Sequence, residues 1–123
     1  MHMVLIAAAL VLSAAFSQAA FAADQTSGEQ LFNNNCRTCH SWKEGDNRLG
    51  PNLHKVVGRK SGAVEGFAYS QSMKQANLTW DEATLDKFIA SPDSVVQNNN
   101  MKPFNGITDA ATRKQIIEFL KSK

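Results

Sequence analysis

Apolar residues at helical spacing occupy three separate stretches of the chain, and the text between them follows no helical period. In the first, Leu31 and Phe32 mark the buried side of a short helix. Thr26-Ser27-Gly28-Glu29 opens it as a capping box, Thr26 as N-cap and Glu29 reaching back. The poor helix formers Asn33-Asn34-Asn35 bring it to a stop. In the second, Leu85, Phe88 and Ile89 give the i, i+3, i+4 stripe of a buried helical face, behind a second capping box, Thr79-Trp80-Asp81-Glu82. Ser91-Pro92 ends that helix and can start another turn, serine as N-cap and proline at the first position. In the third, Ile116, Ile117, Phe119 and Leu120 supply the apolar side of a last helix capped by Thr108 or Asp109. Ser70 to Ala76 predicts one more short helix. With no alternating strand pattern and no hairpin turn pair, the fold class is all-α with substantial loop.

The longest break runs from Ser41 to Phe67. Gly45, Gly50, Gly58, Gly62 and Gly66 follow one another closely there, with Pro51 among them, and the text predicts loop. A loop of that length belongs in a compact domain only where it is functional or wraps something. A bound disc is what it could wrap, and Leu53, Val56 and Val57 are the apolar contacts it offers.

The start of the chain reads differently. Val4 to Ala15 is a continuous small-and-apolar run, Ala20-Phe21-Ala22 supplies an A-x-A cleavage pattern, and polar Asp24-Gln25-Thr26-Ser27 follows. Residues 1–22 are therefore expected to be a secretory signal peptide cut after Ala22, although Met1-His2-Met3 lacks the usual Lys or Arg. An apolar core of about a dozen residues is short for an uncleaved membrane anchor. The expected mature domain is 23–123, a size that buries only a modest core unaided. All charged residues lie after Ala22, 13 basic against 11 acidic for a net +2, with no run of five or more basic residues. That is not a nucleic-acid-binding balance.

The candidate chemistry sits just after the first helix. Cys36-Arg37-Thr38-Cys39-His40 holds both cysteines of the chain. Two cysteines separated by two residues and followed by histidine form the attachment signature of c-type haem. Each thiol adds to a vinyl group as a thioether, and the histidine faces the iron. A thioredoxin-like redox pair would want a βαβ pattern. A structural zinc site would want two further ligands at matching spacing, and only His2 and His54 remain. A plain disulfide would leave the histidine unexplained. An iron held by His40 has one more position to settle. The candidates are Met73, Met101 and His54, or an open site suited to gas binding or peroxide chemistry. Met73 lies in an amphipathic turn and reads as packing. Met101 stands among Asn98, Asn99, Asn100 and Lys102, where an apolar side chain needs a reason to point inward. Met101 is the expected second ligand.

With those residues in place, the chain resembles the class I cytochromes c, of the mitochondrial and purple-bacterial c-two kind. The resemblance covers Gly28 to Lys121. After the cysteine motif it runs through Gly50-Pro51-Asn52-Leu53-His54, Gly58-Arg59-Lys60-Ser61-Gly62, Gly66-Phe67-Ala68-Tyr69, Leu78-Thr79-Trp80, Pro92, Met101 and the Ile116 to Leu120 helix. It implies thioethers at Cys36 and Cys39, His40 and Met101 as iron ligands, and a Pro51 carbonyl accepting the His40 Nδ1 hydrogen. It also implies Arg59, Tyr69, Trp80 and Asn99 around the haem propionates, and Gly28 and Phe32 crossing Ile116 and Phe119. His54 matches a structural or solvated position. Phe88 stands where the family often has a tyrosine near the methionine sulfur, and Lys102-Pro103-Phe104 carries one extra residue. Asp93, Ser94 and Asn100 replace lysines of the mitochondrial docking ring, leaving Arg37, Lys43 and Lys102 as the nearest positive charges.

The implied function is a soluble periplasmic one-electron carrier, monomeric and not an enzyme, with one covalent haem c. The propionates would bring its charge close to neutral. It would dock transiently on redox partner proteins, with no nucleic acid and no stable membrane insertion. The alternative is a haem protein with a labile sixth site, a gas or peroxide sensor or a peroxidase.

Overall fold

The structure, a computed structural model, describes residues 22–123. The expected export segment lies outside the described residues but for its last. Five helices follow in order: α1 (Ala22–Asn35), α2 (Gln71–Gln75), α3 (Glu82–Ala90), α4 (Pro92–Val95) and α5 (Ala110–Lys121). Among the described residues the only strand-like pairing is an isolated antiparallel bridge between Lys60 and Thr79.

The first helix begins earlier than its capping box predicts. Thr26 lies inside α1, which starts at Ala22. Ala22 and Ala23 are the strongest helix formers available, and helix propagates through them instead of stopping at a hydroxyl. Gly28 is then a mid-helix glycine, about 1 kcal/mol worse than alanine on propensity alone. The crossing with α5 explains its use. A Cβ at Gly28 would lie 3.0 Å from the Gln115 carbonyl oxygen and 3.1 Å from the Phe119 Cβ. The two backbones meet there, and Phe32 and Ile116 beside the crossing are both fully buried.

The N-cap of α3 is Asp81, whose side chain accepts from the Thr84 N–H at 2.7 Å. Thr79, the first residue of the expected box, belongs instead to the bridge with Lys60. Extended pairing there leaves the next free carboxylate to cap. Asp109 caps α5, accepting from Thr112 N–H at 2.9 Å. Ser70 caps α2 by accepting from Met73 N–H at 3.1 Å. Ser91 and Pro92 stand at the start of α4 as expected, although the Ser91 hydroxyl pairs with that of Ser94 and caps nothing.

Leu85 and Phe88 of α3 and Ile116, Ile117 and Leu120 of α5 form the core with Phe32, Val56, Trp80 and Val96. Arg113 fastens α5 to α3 through Asp86 at 2.7 Å and to the preceding loop through the carbonyls of Ile107 and Thr108. Phe32, Trp42 and Phe119 pack their rings edge to face or tilted at 5.2–5.6 Å around the α1–α5 crossing.

The glycine-rich segment 41–67 is turns throughout, apart from the one bridge residue. Much of its order comes from outside itself: Gly50 N–H bonds to Cys39, Gly58 N–H to Trp80 and Ser61 N–H to Leu78, all at 2.8 Å, while Leu53 N–H bonds within it to Ser41 at 2.7 Å. Of its expected apolar contacts, Val56 is buried while Leu53 and Val57 pack against the core at its edge.

Candidate functional site

Past the end of α1 one more turn carries the cysteine motif. The N–H groups of Cys36 and Arg37 both bond to the Phe32 carbonyl, at 2.7 and 3.2 Å, and those of Cys39 and His40 to the Cys36 carbonyl, at 3.1 and 2.9 Å. This turn sets Cys36, Cys39 and His40 on the wall of a cleft of about 530 Å³. Such a volume falls within the roughly 300–1,000 Å³ of small-molecule and cofactor sites. The remaining wall is mainly apolar and comes from every part of the fold after α1: Leu53 and Val56, Phe67, Trp80, Leu85 and Phe88, Ile116 and Leu120.

His40 is the most firmly oriented member. Its Nδ1 lies 2.7 Å from the Pro51 carbonyl oxygen. A carbonyl only accepts, so Nδ1 carries the proton and Nε2 keeps a free lone pair. Burial holds the imidazole pKa below its ordinary value, the Arg59 charge adds to the lowering, and the Pro51 bond works against both. Neutral imidazole with its second nitrogen bonded to a carbonyl is the form in which histidine binds a metal.

Gly50 presses on that ring from the backbone. A Cβ there would stand 2.3 Å from the His40 Cε1 and 2.7 and 2.8 Å from its two nitrogens, and the bond from Gly50 N–H to Cys39 keeps the backbone from retreating. Gly50→Ala is expected to push His40 off the Pro51 carbonyl and to destabilise the loaded protein by about 1–3 kcal/mol, the usual cost of overpacking. An unchanged guanidinium unfolding midpoint would contradict this.

The Cys36 thiol is pushed up to about 12, by burial first and by Cys39 second. Among the described residues no three His, Cys, Asp or Glu side chains group as a metal site, so the further ligands that a structural zinc ion takes do not stand beside the motif.

Met101 and Met73 both line the cleft. Each is held by its own segment: the Met101 N–H donates to the Asn99 Oδ1 at 2.9 Å and the Met73 N–H to the Ser70 hydroxyl at 3.1 Å. Asn99 also lines the cleft, and its Nδ2 donates to the carbonyl of Val96 and to the Asp93 carboxylate. Its Oδ1 also accepts from the Met101 N–H, so it holds the Met101 segment. Phe88 leans on Trp80 at 4.9 Å and brings no hydroxyl. His54 is not part of the cleft wall; its Nε2 faces Glu44 at 3.9 Å.

Arg59 and Tyr69 both reach the cleft. The Arg59 Nη atoms donate to the carbonyls of His54 and Asn52 at 3.0 and 2.9 Å, while its Nε is buried and unpartnered. None of the ion pairs among the described residues includes this guanidinium, and burial lowers its pKa while Tyr69 opposes the shift. The Tyr69 oxygen accepts from Val64 N–H at 3.0 Å, which leaves its own hydrogen to donate. A half-buried cation with an orphaned N–H, beside a phenol, suits an anionic group entering the cleft, since a buried carboxylate otherwise carries a desolvation cost. A flat apolar cofactor with carboxylate arms fits these residues.

Comparison with known proteins agrees. A family model described as cytochrome c matches residues 25–123. The chain belongs to the cytochrome c family. Cytochrome c2 of Rhodomicrobium vannielii is 42% identical over 123 residues, covering 97% of this chain and 92% of that protein. Cytochrome c2 iso-2 of Magnetospirillum molischianum is 42% identical over 87 residues, 71% of this chain and 89% of its own. The solved structure of cytochrome cH from Methylobacterium extorquens superposes with a TM-score of 0.73 at 38% identity, covering 80% of this chain and 97% of its own. This is a class I, c2-like cytochrome c, and its cofactor is covalent haem c at the Cys36, Cys39 and His40 turn.

Three site features escaped the sequence reading. Leu49 lines the cleft yet is 79% exposed, and nothing in the local pattern marks it. The pressure of Gly50 on His40 could have been suspected, since a glycine before Pro51 allows close approach. Lys102, expected as one of the nearest positive charges, pairs with Asp93 at 2.5 Å. That leaves Arg37 and Lys43 as the exposed cations nearest the motif in the chain.

Proposed function

We propose that this cytochrome c is a periplasmic one-electron carrier whose domain is residues 23–123, in which His40 and Met101 would hold the iron of a single haem c. When bound, the haem supplies a reversible ferric–ferrous couple. The chain's own residues do the rest. Cys36 and Cys39 tether; Pro51 and Gly50 fix the His40 ring with Nε2 free; Asn99 fixes the Met101 backbone. The apolar wall excludes water, and Arg59, Tyr69 and Trp80 receive the carboxylate end.

One observation carries the reading. A neutral, carbonyl-anchored histidine and a methionine from a pinned polar loop line the same cleft, and that ligand pair is the electron-transfer one. The described residues include no helix long and apolar enough to cross a membrane, and the A-x-A pattern at Ala20 to Ala22 supports export. A monomer docking weakly on donor and acceptor proteins is the reading for partners, as in other small redox encounters.

A redox titration of the holoprotein followed by absorbance tests this. A single reversible one-electron transition, low-spin in both states, is expected. A high-spin ferric spectrum, or peroxide turnover, would favour the sensor or peroxidase reading and sink the carrier.

A further inference from the structure

One carboxylate outside the cleft ties down the chain on both sides of Met101. Asp93, in the first turn of α4, accepts from the Asn99 Nδ2 at 2.9 Å on one oxygen and from the Lys102 Nζ at 2.5 Å on the other. Asn99 carries the contact inward. Its side-chain amide also donates to the Val96 carbonyl at 2.8 Å and accepts the Met101 N–H at 2.9 Å, and the residue is only 4% exposed. A bond from Lys102 N–H to the Asn100 carbonyl at 2.8 Å closes the turn around the methionine. Behind Asp93, Pro92 is buried, and the Val96 N–H bonds to its carbonyl at 2.9 Å. The carboxylate therefore stands on a seated turn.

We infer that Asp93 is a positioning residue for Met101, acting through Asn99 to set how readily the methionine segment lifts from the cleft. The inference rests on Met101 being the second iron ligand. The two arms of the latch differ in kind. The pair with Lys102 is exposed, at 60% and 47% of side-chain area, so salt screens it and its contribution is small. The Asn99 arm ends in a buried amide, where a hydrogen bond is stronger and its loss leaves polar atoms unpaired. The acceptor oxygen toward Asn99 is thus the part that matters most.

Imidazole titration of the ferric holoprotein, followed by the sulfur-to-iron charge-transfer band, tests this. Asp93→Ala is expected to tighten apparent imidazole binding about fivefold, the usual weight of one hydrogen bond. Lys102→Ala should change it about twofold, and only at low salt. Asp93→Asn, which keeps an oxygen for Asn99, should stay near the wild type. A shift of less than twofold in Asp93→Ala, or an Asp93→Asn protein as loose as Asp93→Ala, overturns the assignment. If the wild type shows no band that Met101→Ala removes, the ligation reading fails, which is a separate result.

Discussion

Replacing Cys36 and Cys39 together by alanine is expected to yield a largely unfolded chain. The cleft of about 530 Å³ is not a pocket on an otherwise complete core: Trp80, Leu85, Phe88, Ile116 and Leu120 are core residues and cleft wall at once. A core void costs roughly 24 cal/mol per Å³, so leaving this one empty costs on the order of 10 kcal/mol. Even half that figure, to allow for the open side, rivals the roughly 5–15 kcal/mol that holds a domain together. Segment 41–67 adds little of its own, with Val56 its one buried apolar residue. A group that binds only the folded state shifts this balance directly, and the two thioethers keep it from leaving. Far-ultraviolet circular dichroism of the double variant should show mostly coil; a native-like spectrum would contradict the argument.

Met101→Ala carries the second large effect. With the thioether gone, the ferric charge-transfer band should vanish, the reduction potential should fall, and small exogenous ligands should bind the iron. Loss of the His/Met pair removes the ligand that raises the potential. Truncating a methionine in packed surroundings costs about 2–5 kcal/mol; Met101 is only partly buried, which places it at the lower end. Met73→Ala is the necessary companion, because Met73 lines the same cleft. It should lose some stability and keep the band. If instead Met73→Ala abolishes the band and Met101→Ala preserves it, the ligand assignment is reversed.

The cofactor and the helices were legible because their signals are local. Cys36 to His40 is contiguous, and the stripes of α3 and α5 depend only on residues three and four apart, as Leu85, Phe88, Ile116 and Leu120 show. The close crossing at Gly28 came from the family resemblance and not from any local signal, since its partners Gln115 and Phe119 lie at the other end of the chain. Helix starts were less legible. Thr26 and Thr79 each head a valid capping box, but one is overrun by alanine-led propagation and the other is taken by Lys60. A cap competes with its neighbours, and the competition is settled by contacts the local text does not contain. The same holds for the site. Which partners Asn99 and Lys102 take depends on where α4 sets Asp93. No spacing rule encodes a meeting of that kind.

The α1–α5 clasp also ties chain closure to the cofactor's space. Ser27 and Gln115 touch across 88 residues of chain, and drawing together the ends of so long a loop costs about 4 kcal/mol or more in entropy. The attachment turn follows α1 directly, and the half-buried Cys36 packs against the same core as α5. Cys36 and Cys39 stand on one wall of the cleft and Ile116 and Leu120 of α5 on another, so the last helix completes the space that the cofactor fills. Closing the long loop and filling the cleft therefore support one another.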